Sequence, residues 1–387
     1  MRDTHIVGLG TTPFGVLDEG IQSLGTRAIS RALDSCEVTR GDVEALYVGN
    51  FVGGILEGQG AVGPILADNT GVAGVPAMTT EGACASSGIA FAQACQAIAT
   101  GVYDVVVVGG VESMTGADTS QFTQALGSAA DRATEGQTGL TFPGFYGLYL
   151  DRYMAEYGAT REEVAAVAVK NRENGVANPR ARFREPVTTE EVVDSQLIAD
   201  PLRMYDCCPA ADGGAAVVLA ADDCAAEFTD DPLPILGWGH ATGRSAAYRY
   251  EDLTTLEATT RAAESAYTQA NIRPDDVDVV ELHDCFTPAE IGDSEDLGFF
   301  EKGKGAVAVA EGRTAVDGDL PINPSGGLLA KGHPVGATGI GQIYEVCRQL
   351  RGNHENQVVD ADVGLTHNLG GSGVVCTVTA VGGPSRV

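Results

Sequence analysis

Two residues in this 387-residue chain carry nucleophile chemistry on their face: a cysteine and a histidine, each set among small residues just ahead of a helical stretch. Cys84 lies in Glu81-Gly82-Ala83-Cys84-Ala85-Ser86-Ser87-Gly88. The pattern that follows, residues 85–100, is apolar nearly all round, so that helix should be buried. His333 lies in Gly326-Gly327-Leu328-Leu329-Ala330-Lys331-Gly332-His333-Pro334-Val335-Gly336-Ala337-Thr338-Gly339. Glycine permits positive φ and close approach of a ligand to the main chain. A thiol at a helix N-terminus feels the positive end of the macrodipole, which predicts a pKa below the free value of ~8.5. Taken alone, Cys84 also reads as a small hydrophobe in a tight turn. An imidazole brought against it would make an activated nucleophile instead.

Two further motifs offer polar groups. His283-Asp284-Cys285-Phe286 ends an expected strand, 277–282, and the C-terminal ends of parallel strands are where α/β folds hold ligands. There His283 is placed to donate to an oxyanion and Cys285 to shuttle a proton. Asp284 is expected to cap the helix that Thr287-Pro288 begins. His367-Asn368-Leu369-Gly370-Gly371-Ser372-Gly373 joins the last two strands, either as a plain turn or as a source of backbone N–H groups for a developing negative charge. His5, His240 and His354 lack such settings and read as structural. No His or Cys pair has zinc-site spacing, so no metal is expected. Lys170, Arg172, Arg180, Arg182 and Arg184 fall within fifteen residues against Glu173 alone. They form either a solvated basic face or an anion site whose arginine forks match phosphate.

The elements that must position these groups repeat. Helical patterns at 26–36 and 260–270 each precede a strand, 43–51 and 277–286. Leading strands correspond at 6–10 and 235–239, and helix entrances at 85–89 and 336–340. Closing strands correspond at 104–109 and 358–365. A repeat of roughly 100 residues or more is too long for a solenoid and reads as a duplicated α/β half. The alternation predicts mostly parallel sheets covered by helices. If the halves are related by a pseudo-twofold axis, Cys84 and His333 stand at equivalent junctions and face one another. Residues 1–116 with 206–231 form the expected first half, 117–205 an inserted lobe, and 232–387 the second half.

Composition bounds the partners. Lys+Arg is 24 and Asp+Glu is 53, a net charge of −29, with only four lysines. That balance argues against nucleic acid. It also suggests a salt-rich cytosol, where screening tames self-repulsion. Nine cysteines without a Cys-x-x-Cys pair, and no signal-peptide pattern, favour a reducing, cytoplasmic setting. No apolar run approaches the ~18 residues of a membrane span.

Together the Cys84 segment, the 326–339 segment and the strand-end motif resemble the thiolase family over nearly the whole chain. The His283-Asp284-Cys285-Phe286 form, and the stretch from Asp200-Pro201-Leu202-Arg203 to 212–218, look like the sterol-carrier-protein-type branch and its archaeal relatives. Better-known thiolases have Asn-Glu-Ala-Phe at the strand end, and a second catalytic cysteine where this chain has His367. The resemblance implies a five-layered αβαβα core of two α/β halves with an inserted loop domain that binds coenzyme A, placing Arg172, Arg180, Arg182 and Arg184 there. It implies ping-pong Claisen chemistry on coenzyme A thioesters without a further cofactor, most simply between acetyl-CoA and acetoacetyl-CoA. In that scheme His333 activates Cys84, and Cys285 or His367 is the second acid/base. His283 helps an enolate oxyanion, while the N–H of Cys84 and one near Leu369–Gly370 hold the tetrahedral oxyanion. A longer-chain degradative thiolase and a non-catalytic CoA- or lipid-binding scaffold are the competing expectations. The resemblance further implies a homodimer or homotetramer, with a zinc-ribbon/OB-fold accessory protein and hydroxymethylglutaryl-CoA synthase as possible partners.

Overall fold

The computed structural model describes residues 2–386. The first half runs through β1 (Thr4–Thr11), the helix Ile21–Leu33, β2 (Ala45–Gly49), β3 (Ala77–Thr80), the helix Ser86–Ala99 and β4 (Val105–Glu112). The helices Thr119–Gly127, Phe142–Tyr157, Arg161–Ala177 and Thr189–Asp194 and a small hairpin, β5 (Leu197–Ala199) with β6 (Leu202–Arg203), come next. The chain then returns as β7 (Gly213–Ala221). The second half repeats the plan with β8 (Leu233–Thr242), the helix Glu257–Ala270, β9 (Val279–Glu281), the helix Thr338–Leu350, β10 (Val363–Gly370) and β11 (Val375–Gly382).

The strands lie in the order β3-β2-β4-β7-β1-β8-β11-β10-β9. Within the sheet, the two halves join where β1 touches β8, through His5–Pro234 and Ile6–Leu233. The duplication extends to fine detail: β2 pairs in parallel with β3, and Val280 of β9 makes an isolated parallel bridge to Ile322.

The expected mostly parallel sheet is corrected. Only β2–β3, β2–β4 and β9–β10 are parallel; β4–β7, β7–β1, β1–β8, β8–β11 and β11–β10 are antiparallel. Helical crossovers dictate parallel pairing only at the outer edges. The returning strand β7 and the β10–β11 hairpin turn the centre antiparallel.

Each layer follows from its side-chain pattern. In the helix Ile21–Leu33, Ile21, Leu24, Ala28, Ile29 and Ala32 fall on one buried face, the spacing of an amphipathic helix. That face covers one side of the first half-sheet together with Val48, Leu66, Val107 and Val218. The helices Ser86–Ala99 and Thr338–Leu350 are buried almost throughout and share a core with strands of both halves, including Phe91, Ile98, Val106, Val217, Ile340 and Val346. They form the middle layer, and the helix Glu257–Ala270 closes the far side. Their small residues let the two entrances meet.

Candidate active site

Cys84 does not sit in regular helix. It occupies a single 3-10 turn, Ala83–Ala85, before the helix Ser86–Ala99 begins. Ala83 takes φ +51, a left-handed conformation that non-glycine residues rarely adopt and that costs on the order of 1 kcal/mol or more. Three hydrogen bonds from two side chains hold it there. Glu81 accepts from the Ala83 N–H at 2.7 Å, while Ser86 accepts from the Gly82 N–H and donates to the Ala83 carbonyl. On the opposite side, His333 follows the short helix Gly327–Lys331 and a left-handed Gly332. It bridges in parallel to Ala210. His283 lies just past β9.

These three side chains converge. One donor atom from each of Cys84, His283 and His333 lies within 4.8 Å of the others. The imidazoles of His283 and His333 meet edge to face at 4.9 Å. With Cys285 they line one cleft of about 1040 Å³, ample for a small-molecule ligand.

The hydrogen bonds fix both tautomers. Thr338 donates its hydroxyl hydrogen to the Pro334 carbonyl, so it accepts from His333 Nδ1–H at 2.7 Å. His333 Nε2 is then an unprotonated acceptor, and it is buried without a partner. Burial lowers its pKa to about 3, so the ring is a neutral base near pH 7. His283 is the complement. Asn368 Nδ2 donates to the Cys84 carbonyl at 3.0 Å and faces His283 Nδ1 at 3.3 Å. That nitrogen must accept, which leaves Nε2–H as the donor. Burial first, then the neighbouring His333 and His367, hold the His283 pKa well below the ordinary value.

The Cys84 thiol departs from expectation. Burial pushes its pKa up to about 12, opposed by a hydrogen bond from the Gly371 N–H. Desolvation of the charged form outweighs the helix dipole here. The amide that reaches the sulfur is thus Gly371's. Leu369 and Gly370 end β10, paired with Cys376 and Val375.

His367 is not in the cleft, which corrects its place as a competing acid/base. It lies within β10 rather than in the turn, and alternation sends its side chain to the face opposite Asn368. Its Nδ1 accepts from the His283 N–H at 3.4 Å, and its Nε2 meets Thr259 at 3.0 Å and Asp293 at 3.6 Å. Asp284 is corrected too. It accepts from Leu328 N and Leu329 N, so it caps the helix Gly327–Lys331 and not the one after it. It thereby ties the His283 strand end to the segment that carries His333.

The arginine cluster does not form the cleft. Arg172 is buried against the Phe183 and Tyr205 rings. Arg180 pairs with Glu345 at 3.2 Å and Glu355 at 2.8 Å. Arg182 donates to the Ala210 carbonyl, and Arg184 is exposed elsewhere. The arginine that lines the cleft is Arg132.

Sequence reading also missed Glu112. It is buried at the end of β4 and accepts from Asn50 Nδ2, Phe51 N, Val52 N and Gly336 N. The first half thus grips the His333 entrance through Glu112, while the second grips the Cys84 entrance through Asn368.

Residues 4–223 match the family description "Thiolase, N-terminal domain" and residues 239–382 match "Thiolase C-terminal domain-like". The chain belongs to the thiolase family. As a thiolase it is an acyltransferase. It is 44% identical over 380 residues to the acetyl-CoA acetyltransferase of Methanothermobacter thermautotrophicus, covering 98% of this thiolase and 99% of that protein. It is 33% identical to sterol carrier protein 2 of Bos taurus, covering 98% and 72% of the two chains. The solved Ltp2-ChsH2(DUF35) aldolase matches the thiolase with a TM-score of 0.85 at 27% identity, over 100% and 99% of the chains. Human mitochondrial 3-ketoacyl-CoA thiolase in complex with CoA matches it with a TM-score of 0.76 at 19% identity, over 99% and 98%, a likeness of fold.

Proposed function

We propose that this thiolase interconverts two acetyl-CoA with acetoacetyl-CoA and free CoA through an acyl-Cys84 intermediate. The observation that carries this is the meeting of Cys84 with an acceptor imidazole, His333, and a donor imidazole, His283, beside Cys285 in one cleft. His333 Nε2 takes the Cys84 proton as sulfur attacks the thioester, then returns it to the departing CoA thiolate. Cys285 removes an α-proton from a second acetyl-CoA, and His283 Nε2–H stabilises the enolate oxygen. The enolate carbon attacks the acetyl-Cys84 carbonyl. The Cys84 sulfur leaves, and the proton held by Cys285 restores the Cys84 thiol. The N–H groups of Cys84 and Gly371, which reach the Cys84 sulfur, are the proposed donors to the tetrahedral oxyanion, and such a donor is worth roughly 10²–10³ in rate.

Acetyl-CoA chemistry, rather than longer chains, is supported by the 44% identical relative's name. The lobe at 117–205 supplies Arg132 to the cleft and is the proposed CoA-binding part, with 1–116 and 206–231 and then 232–387 as the two halves. β3 leaves a free sheet edge with exposed Met78, where a second copy can pair to give the homodimer or homotetramer. The pairing of a similar fold with ChsH2(DUF35) favours an accessory protein. Among the described residues no helix is long and apolar enough to cross a membrane. A cytoplasm of high salt is the proposed setting for a charge of −29.

The test is release of CoA from acetyl-CoA, with loss of acetoacetyl-CoA absorbance on adding CoA, in about 2 M KCl to screen the acidic surface. Cys84→Ala should abolish both activities and leave no acetylated protein by mass. Full turnover by that variant would overturn the assignment.

A further inference from the structure

The helix Phe142–Tyr157 stacks three fully buried tyrosines, Tyr146, Tyr149 and Tyr153. Two are tied off: Tyr149 donates to the Thr254 carbonyl and Tyr153 to Glu295. Tyr146 is the exception. Its hydroxyl is buried without a hydrogen-bond partner, and its side chain lines the wall of the cleft together with Cys285. A phenol hydroxyl taken out of water without a partner is costly, because the desolvation of the hydroxyl is not repaid. A stability role therefore does not account for it, since phenylalanine would fill the same space without that cost.

The ring is held in place. It stacks on Phe286, the residue after Cys285, with centroids 4.6 Å apart and planes 27° apart, and meets Phe145 edge-on at 5.2 Å. The Cys285 backbone is pinned in turn, its carbonyl accepting from Cys208 N at 3.0 Å. Sulfur and hydroxyl are thus fixed from two different elements.

Cys285 needs such a neighbour. To take an α-proton it must be a thiolate, yet burial pushes its pKa well above the usual thiol value, and Cys84, Asp293 and Asp284 push the same way. Cys208 adds a further thiol on that side. Tyr146 opposes them all, and it stays protonated because burial raises its own pKa well above the ordinary phenol value.

We propose that Tyr146 is a positioning residue for the carbon–carbon bond-forming half of the reaction: its hydroxyl donates to the Cys285 thiolate and holds it, aimed and ionised, for removal of the substrate α-proton. The tyrosine keeps its own proton throughout. The α-proton moves to Cys285, the enolate carbon bonds to the acetyl carbon, and the proton count closes on the Cys84 sulfur. The proposal rests on Cys285 as the acid/base.

The experiment separates the two half-reactions in Tyr146→Phe. Acetylation of Cys84 by acetyl-CoA, read as CoA release in a single turnover, should be unchanged. Exchange of the acetyl-CoA methyl hydrogens with D₂O should fall by about 100-fold, the lower end of the ~10²–10⁴ that a positioned acid–base group supplies. It should recover as pH rises, because losing the donor raises the pH at which Cys285 ionises. In a Cys285→Ser background the same change should alter exchange by less than about twofold, since the pair acts as one unit. As a second measurement, the pH profile for alkylation of Cys285 in the Cys84→Ala protein should shift to higher pH with Tyr146→Phe. Parallel loss of both half-reactions, unchanged exchange, or an unmoved alkylation profile would overturn the proposal. Full exchange by Cys285→Ser would remove the acid/base assignment and this inference with it. Exchange that depends on Cys285 but not on Tyr146 would remove the inference alone.

Discussion

Gly88 and Gly339 meet backbone to backbone where two helices from opposite halves begin. A Cβ on Gly339 would come 2.7 Å from Gly88 N and 2.4 Å from Asn368 Oδ1. That approach brings the entrance carrying His333 against the entrance carrying Cys84. Gly339→Ala must push the two helices apart or displace Asn368. Overpacking of this kind costs about 1–3 kcal/mol. The expected result is a Tm lower by several degrees, with a larger loss in Cys84 acetylation than in CoA binding. Thermal melts and single-turnover CoA release measure the two.

Thr338 decides what His333 can do. Its hydroxyl takes the Nδ1 hydrogen and passes its own to the Pro334 carbonyl, so Nε2 stays a base. Thr338→Val keeps the shape and removes the acceptor. The ring can then adopt the other tautomer, with Nε2–H facing the sulfur. Loss of an orienting partner is expected to lower kcat by about tenfold or more while leaving KM nearly unchanged. Thr338→Ser, which restores the hydroxyl, should recover most of the rate. Steady-state kinetics of the three proteins decide it.

The residues legible in the sequence share a local signature. Cys84 and His333 stand in small-residue helix entrances, and His283 and Cys285 at a strand end, so type and neighbours already single them out. Asn368, Glu112 and Tyr146 carry no such mark. A polar residue at the end of a strand, or a tyrosine in an aromatic helix, looks like ordinary structure until tertiary contacts bring its partner. Asn368 finds Cys84 across 284 residues and Glu112 finds Gly336 across 224. The arginine run misled for the mirror-image reason. Closeness in sequence looked like a patch, while the acids that neutralise Arg180, Glu345 and Glu355, lie more than 160 residues away. The duplicated halves were readable from periodicity. Strand direction was legible only at the Gly-rich turn before β11, because β7 has no signal that separates it from a parallel strand.

Glu112 should give the fold a measurable pH dependence. Burial raises its pKa to about 7, against the hydrogen bonds that favour its charge. A carboxyl whose pKa is higher folded than unfolded contributes stability that is full below the unfolded value of 4.5 and is lost as pH rises through about 7. Glu112→Gln removes this titration. The difference in Tm between wild type and variant should therefore change between pH 5 and pH 8, the wild type gaining relative stability on the acid side. A constant difference across that interval would show that Glu112 ionises alike folded and unfolded.

Arg132 and Arg180 separate a ligand contact from a structural one. Arg180 is committed to Glu345, which is fully buried and held well below the usual carboxylate range by Lys331, His354 and Arg180 itself. Removing one partner leaves the buried charge with Lys331 and His354 alone, which costs less than the ~3–5 kcal/mol of breaking an isolated buried pair. Arg180→Ala should therefore lower Tm and leave the KM for CoA of the folded enzyme unchanged. Arg132 is exposed at the cleft and, among the described residues, forms no ion pair. Its guanidinium is free to meet a phosphate as a charge-assisted pair. Arg132→Ala should leave Tm unchanged and raise the KM for CoA by about tenfold, equivalent to ~1.4 kcal/mol, and the effect should shrink as KCl rises because an exposed pair is screened. An Arg132→Ala enzyme with an unaltered KM at low salt would place the CoA anion elsewhere on the lobe.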